Sequence, residues 1–200
     1  MRRLLLLVLV LLCLFDKDAV AQDFHGGLRL GICASQVSGD NLSGYDKAGI
    51  LGGAYVNRSF SEKISVQMEM MFIQKGSRST VSKIDNSYYR MRLHYLEVPL
   101  LFRYHAGKKI VLEAGLSAGT LIFSEENNQI GVIYGTPPFK KIEIASQLGL
   151  QFIFSENWAA DLRYSGSLTP VRAFEGSYNY NYFDQGQYNS SLQLSLEYTF

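Results

Sequence analysis

The last stretch of the chain has the clearest alternation of hydrophobic and polar positions. Over residues 188–200 it reads YNSSLQLSLEYTF, with leucine or an aromatic residue at each even position from 192 onward and polar residues at the odd positions. Successive side chains of a β-strand point to opposite faces, so this segment predicts a strand with one apolar and one polar face. Because the apolar face continues to Phe200, the pattern indicates a strand whose outward face meets lipid.

Seven earlier segments share this period, with their apolar residues mainly at even positions: 24–34, 47–57, 63–73, 90–104, 109–123, 141–154 and 158–168. Their connections alternate between long polar loops and tight turns. This alternation is typical of a membrane barrel that has short periplasmic turns and longer outer loops. We therefore predict an all-β fold over residues 22–200, an eight-stranded antiparallel transmembrane β-barrel of the small outer-membrane-protein type.

A soluble lipocalin-like barrel would have the same period with its apolar face turned inward around a ligand. Three features favour the membrane barrel. The polar rows mix glycines with charges, which suits a narrow eight-stranded interior, and the apolar rows hold more volume than such an interior could contain. Aromatic residues of apolar parity also collect where these rows would cross the periplasmic interface: Phe24, Tyr104, Phe154, Trp158, Tyr198 and Phe200. We expect the outer membrane as the location and its lipid as a partner.

The N-terminus has the features of a secretory signal peptide. Two arginines precede an apolar run over 4–15, and Ala-Val-Ala at 19–21 provides a cleavage site, so residues 1–21 are predicted to be removed. The full chain has 19 Lys+Arg and 18 Asp+Glu, of which this segment contains three and two, so 16 of each remain. A neutral mature chain gives no electrostatic basis for nucleic-acid binding. Only Cys33 survives processing, which leaves no intramolecular disulfide.

Two segments carry a family resemblance. Residues 66–77, VQMEMMFIQKGS, and 93–104, LHYLEVPLLFRY, resemble the third and fourth strands of the PorT-like outer-membrane β-barrel family. The resemblance extends to EAGLSAGTLI at 113–122, to the D-x-R-Y at 161–164 and to the final Y-x-F, which together span most of the mature chain. It implies a porin-like outer-membrane protein of Bacteroidetes-type Gram-negative bacteria. Namesake members are associated with a protein-secretion and surface-attachment system, and most members have no assigned activity.

Nine charged residues share the inward, polar parity: Arg29, Glu69, Glu97, Arg103, Glu113, Glu143, Asp161, Arg163 and Glu197. Burying any of them unpaired would be costly, so we expect an ion-pair and hydrogen-bond network across the strands. The network could be a proton or ion path, or a plug that fixes the register and closes the lumen. We favour the plug because eight strands leave no continuous water channel. Glu69 and Glu97, with Arg103 and Arg163 as cations, are expected to form its core.

Other candidate sites are weak. Pro99 cannot donate a ladder hydrogen bond and is expected at a β-bulge. His25, His94 and His105 lie on different strands or turns without ligand spacing, so no metal or cofactor is predicted. His94 lies near the outer end of its strand, and no Ser or acidic residue at a suitable offset on that strand would complete a hydrolase site. We therefore predict that the protein is not an enzyme.

The fourth long loop is rich in aromatic residues. Tyr178, Tyr180, Tyr182 and Phe183 alternate with amides, which form good contact surface for proteins or sugars, although the pattern also fits a hairpin that extends the flanking strands. The leading hypothesis is a non-enzymatic envelope or secretion-associated scaffold that acts through surface loops and periplasmic turns. The alternatives are a surface binding or adhesion module that uses this loop, a membrane-embedded lipid hydrolase and a narrow porin. The sequence names neither the partner nor the oligomeric state.

Overall fold

The computed structural model describes residues 24–40, 42, 44–79, 88–133, 137–173 and 186–200. The predicted signal peptide and the aromatic residues of the fourth loop lie outside the described residues. The strands are β1 (Phe24–Ser38), β2 (Lys47–Ser59), β3 (Ile64–Arg78), β4 (Tyr89–His105), β5 (Ile110–Asn128), β6 (Gly131–Val132), β7 (Ile142–Ile153), β8 (Trp158–Ser167) and β9 (Tyr188–Thr199). In the part of the chain that the structure describes, no helix is long and apolar enough to cross a membrane.

The eight long strands form one closed antiparallel barrel. Each pairs with its neighbours in the order β4-β3-β2-β1-β9-β8-β7-β5, and a further pairing between β4 and β5 closes the cylinder. Closure removes the free edges that an open sheet would present. The eight-stranded antiparallel barrel predicted from the sequence is confirmed. The two-residue β6 was not predicted and only prolongs a hairpin at the outer end of β5.

The barrel is apolar on its outside and polar for most of its inside. Large apolar side chains at even positions face outward, and Leu30 and Leu194 are 70% and 53% exposed. Inward residues at odd positions are buried in every long strand. A lipocalin-like barrel would have the opposite arrangement, so the soluble alternative is wrong. Exposed apolar side chains in this number require a hydrocarbon surrounding.

Aromatic residues mark both ends of the apolar band. The six residues of the predicted periplasmic belt are all exposed at the end that carries the short turns, and the Trp158 and Tyr198 rings lie 5.0 Å apart. At the other end, the His94 ring lies 5.7 Å from Phe72 and 4.8 Å from Phe123. Such belts form where a barrel crosses the membrane–water interfaces. The band between them is the membrane-spanning part.

Towards the outer end, the inward rows of β1–β4 contain an apolar cluster, which differs from the polar interior predicted. The buried cluster there consists of Cys33, Val37, Leu51, Met71, Ile73, Met91, Leu93 and Tyr95, with Tyr89, Leu121 and Phe139 packed against it. Apolar side chains can fill a closed space without needing hydrogen-bond partners. The β1–β4 side of the outer lumen is therefore filled by apolar packing.

Pro99 does not sit at the predicted bulge. The β3–β4 ladder is interrupted at Val98 and Pro99 and then resumes in the same register, while Pro99 is aligned with Ser117 of β5. The register shift in the β4–β5 ladder lies between His94 and Tyr95 instead, where Ile122 of β5 is the additional residue. A missing N–H removes one ladder hydrogen bond but does not require an inserted residue.

Candidate functional site

The lumen contains all nine charged residues that the sequence singles out, and each is at most 6% exposed. Together with Lys75, which is not one of the nine, they form two groups at different heights. The arginine cluster, nearer the short turns, consists of Arg29, Glu69, Arg103, Glu113, Asp161, Arg163 and Glu197. The lysine cluster, nearer the outer end, consists of Lys75, Glu97 and Glu143.

Arg163 is the central residue of the arginine cluster. Its Nη1 and Nη2 atoms lie 2.9 and 3.0 Å from the two carboxylate oxygens of Glu69. Nη2 also lies 2.6 Å from Glu113. Because β8 and β3 are on opposite sides of the closed sheet, the bond to Glu69 crosses the lumen. A planar guanidinium matches a carboxylate with two parallel hydrogen bonds.

The other two arginines extend the cluster to further strands. Arg29 of β1 lies 3.4 Å from Glu69 and 3.2 Å from Glu197, and it donates to Asp161. Arg103 of β4 places its Nε atom 2.9 Å from Glu113. Three guanidinium groups therefore share four carboxylates, which leaves a formal charge of −1.

Two glutamines outside the nine predicted charged residues complete these contacts. Gln67 donates to Glu69 at 2.8 Å and Gln151 donates to Glu197 at 2.6 Å, while the carbonyl oxygens of both amides accept from Arg103. Their inward parity could have indicated them. An amide can donate to one carboxylate and accept from an arginine at the same time.

A glycine makes room for the cluster. The strand register runs Arg103, Glu113, Gly149, Arg163 across β4, β5, β7 and β8. A Cβ atom at Gly149 would lie 2.9 Å from the Glu113 Oε2 atom and 3.5 Å from the Arg163 side chain. A side chain at this position would press on the ion pair.

The lysine cluster has one cation between two carboxylates. Lys75 Nζ lies 2.6 Å from Glu97 and 3.3 Å from Glu143. Glu143 also accepts hydrogen bonds from Asn189, at 3.2 Å, and from Ser167. Lys75 was missed because the third segment was predicted to end at residue 73. Its odd position in the same row was the available signal.

The structure separates Glu69 from Glu97, which were predicted to form one core together. In the β3–β4 register Glu97 lies opposite Met71, two residues beyond Glu69 towards the outer end. Glu69 therefore pairs with Arg163 and Glu97 with Lys75. Between the two clusters lies a neutral layer in which Gln147 donates to Ser117 and Ser165 at 2.8 and 3.1 Å.

This arrangement favours ion pairing over metal binding. Oxygen atoms of Glu113, Asp161 and Glu197 lie within 4.8 Å of one another. Each of these carboxylates, however, is already paired with a guanidinium, so a metal ion would have to compete with the arginines for the carboxylate oxygens.

His94 lies on the outer wall between Phe72 and Phe123. Among the residues that the structure covers, no Ser, Asp or Glu forms a hydrogen bond with it. His94 therefore packs against aromatic rings at the membrane interface. The described residues do not form a nucleophile–base pair with it.

A closed barrel with an apolar wall and an ion-paired interior is an integral outer-membrane protein in its construction. The chain belongs to the family described as the outer membrane protein beta-barrel domain, whose model matches residues 20–172. The localisation to the outer membrane is thereby confirmed, and its lipid surrounds the barrel wall. No curated protein matches the chain.

Solved structures of small outer-membrane barrels are similar in fold. Ail, the attachment invasion locus protein of Yersinia pestis, has a TM-score of 0.52 at 15% identity, over 88% of this chain and 98% of that one. Ail in complex with the heparin analogue sucrose octasulfate has a TM-score of 0.53 at 16% identity, over 88% and 99%. Neisserial surface protein A has a TM-score of 0.53 at 8% identity, over 88% and 97%. These likenesses concern the fold.

Proposed function

We propose that this protein is a non-enzymatic, non-conducting scaffold of the outer membrane, which acts in envelope assembly or secretion by contacts of its surface loops and periplasmic turns. The observation that carries the proposal is the ion pair between Arg163 and Glu69, which crosses the lumen with both side chains buried. The pair supports a closed lumen, because its side chains lie across the space that a solute path would need. The function is therefore assigned to the two ends of the barrel.

Exposed side chains at both ends support this assignment. Ile130 stands at the tip of the β5–β6 hairpin above the membrane and is 88% exposed. At the opposite end Phe60 lies in the β2–β3 turn, with the Arg58 guanidinium 4.8 Å from its ring. Aromatic and Arg side chains, such as Phe60 and Arg58, are enriched in protein contacts. The resemblance to the PorT-like family supports secretion as the more specific role that we propose.

Two measurements test the proposal. Purified protein in planar lipid bilayers should show no stable channels, whereas steady single-channel conductance would contradict the plugged lumen. Photo-crosslinkers placed at residue 130 and at Lys108, in the β4–β5 turn, should each capture defined envelope proteins in cells. The matched control is a crosslinker at Leu194, which faces hydrocarbon and should capture none. Equal capture from all three positions would contradict a scaffold role of the ends.

A surface binding module is the second candidate, because the outer end provides a firm base for loops. Arg172 lies 3.7 Å from the centre of the Phe139 ring and pairs with Glu126, which also accepts from Tyr89. These contacts fasten the third and fourth loops to β4 and β5. In this candidate function, the contact residues are the predicted ones, Tyr178, Tyr180, Tyr182 and Phe183. The Ail structure with a heparin analogue makes sulfated glycans the first ligands to try.

Deletion of residues 177–184 distinguishes the two candidates. The variant should keep the heat-modifiable gel migration of a folded barrel. Loss of binding of cells to heparin-coated or matrix-coated surfaces would support the binding module, while unchanged crosslinking to envelope proteins would support the scaffold.

A further inference from the structure

Three arginines lie together on the outward wall of the barrel, apart from both lumen clusters. Arg78 ends β3, and Arg90 and Arg92 lie near the start of β4, where Arg78 is aligned with Arg90 and Gly76 with Arg92. Residues directly opposite in an antiparallel pair point to the same side. Arg78 and Arg90 are exposed, and Arg92 has 33% of its side chain exposed. We call these three residues the arginine patch.

The patch has more positive charge than its surroundings compensate. Like charges directly opposite on neighbouring strands are destabilising, and Arg78 faces Arg90 in this way. Glu125 pairs with Arg92. Among the residues that the structure describes, no carboxylate forms an ion pair with Arg78 or Arg90. Two guanidinium groups at one place on the wall are therefore available to an anion.

The patch lies at the height of the lipid headgroups. The Phe72, His94 and Phe123 rings mark the outer interface. A strand rises about 3.3 Å per residue, so Arg92 lies about 7 Å, and Arg90 about 13 Å, beyond His94 along the tilted strand. A headgroup layer is about 5–8 Å thick on each side of the hydrocarbon. A strand tilt of about 35–45° reduces these distances to roughly 5 and 10 Å along the membrane normal. Arg92 therefore lies within the headgroup layer and the aligned pair lies just above it.

The wall below the patch indicates what kind of anion fits. Leu96, on the same strand as Arg92, and Ile122, on the neighbouring β5, are 42% and 57% exposed towards hydrocarbon. A ligand that contacts both the arginine patch and the apolar wall below it needs a charged head and acyl chains. Arginine suits phosphate because its fork of N–H groups matches two oxygens at once.

We propose that Arg78, Arg90 and Arg92 bind the phosphate groups of a phosphorylated glycolipid in the outer leaflet. The site goes beyond the scaffold function, since it faces lipid and uses neither the lumen nor the loop tips. Bound lipid would neutralise the aligned arginines and hold the tall β3–β5 side of the barrel in its membrane environment.

Binding of lipid A to the purified, folded protein tests the proposal. Native mass spectrometry in detergent should detect retained bisphosphorylated lipid A and much less dephosphorylated lipid A. Replacing both aligned residues, Arg78→Gln with Arg90→Gln, should weaken retention about 30-fold, the product expected for two interfacial charges. The matched control, Lys108→Gln with Lys109→Gln in the opposite turn, removes the same charge and should leave retention unchanged. Equal weakening by the control pair would overturn the proposal.

A second variant separates binding from folding. Arg90→Glu would place a carboxylate opposite Arg78, so the barrel should fold with normal heat-modifiable migration while lipid A retention falls. Undiminished retention by this variant would overturn the site. Inorganic phosphate distinguishes the source of the phosphate group: if it displaces lipid A at concentrations similar to those of the lipid, the patch is a site for free anions and the glycolipid assignment is wrong.

Discussion

The two charged clusters of the lumen both compensate buried carboxylates, one with arginines and the other with a lysine. The arginine cluster joins every long strand except β2, because Arg29, Arg103 and Arg163 each reach partners on two or more other strands. In the lysine cluster, Lys75 reaches Glu97 and Glu143 from one ammonium group. Both clusters contain one more carboxylate than cations.

The difference follows from the geometry of the donors. A guanidinium has five N–H donors in a rigid plane, whereas an ammonium is a compact charge with three donors on a flexible stem. Arginine can therefore fix the distance and orientation of several strands at once. Lysine compensates charge while it tolerates small movements of its partners. We infer that the arginine cluster sets the shape of the barrel and the lysine cluster mainly neutralises buried charge.

The largest effect is expected for Arg163→Met. This change leaves Glu69 and Glu113 buried without their main partner, and removing one member of a buried pair costs roughly 3–5 kcal/mol. Urea unfolding in lipid vesicles, followed by the fluorescence of Trp158, the single tryptophan, measures the loss. Lys108→Met, in an exposed turn, is the control and should change the free energy of unfolding by less than about 0.5 kcal/mol. A similar small effect for Arg163→Met would mean that the cross-lumen pair does not stabilise the barrel.

Lys75→Met should have the next largest effect, about 3 kcal/mol or somewhat less. Glu143 keeps its hydrogen bonds from Asn189 and Ser167, so Glu97 accounts for most of the cost. Adding Glu97→Gln and Glu143→Gln should restore more than half of the lost stability, because an uncharged cluster needs no cation. Failure of this triple variant to recover would show that Lys75 acts through packing, against the charge-neutralising role inferred for it. The same urea titration provides the comparison.

The alternation of side chains was enough to predict the eight strands and the direction that each face points. Lipid outside the barrel imposes apolar residues at even positions, as in the row that includes Leu30 and Leu194. The pattern ends where a strand leaves the hydrocarbon, which is why β3 was predicted to end at residue 73 and Lys75 was missed. The apolar residues inside the outer end, such as Met91 and Leu93, have inward parity and break the expected rule.

The partners inside the lumen could not be predicted in the same way. Arg163 and Glu69 are 94 residues apart in the chain and lie on opposite sides of the barrel. Which inward residues meet depends on the stagger between strands, and a closed barrel fixes that stagger through all of its pairings together. Parity identified the nine charged residues as inward-facing, but only the register separates Glu69 from Glu97.

Two glycines, one beside each cluster, test whether the arginine cluster is more rigid than the lysine cluster. The expected effects on stability are the smallest of the three. A Cβ atom at Gly149 would lie 2.9 Å from the Glu113 Oε2 atom, which Arg163 holds at 2.6 Å, while a Cβ at Gly119 would lie 3.1 Å from Glu97 Cγ. Gly149→Ala should cost about 1–3 kcal/mol by overpacking, since the arginine fork prevents Glu113 from moving. Gly119→Ala should cost less than about 1 kcal/mol, because the Lys75 ammonium can follow Glu97. Equal costs in urea unfolding would mean that the two clusters are equally rigid. The inferred difference between the arginine guanidinium and the lysine ammonium would then not hold in this lumen.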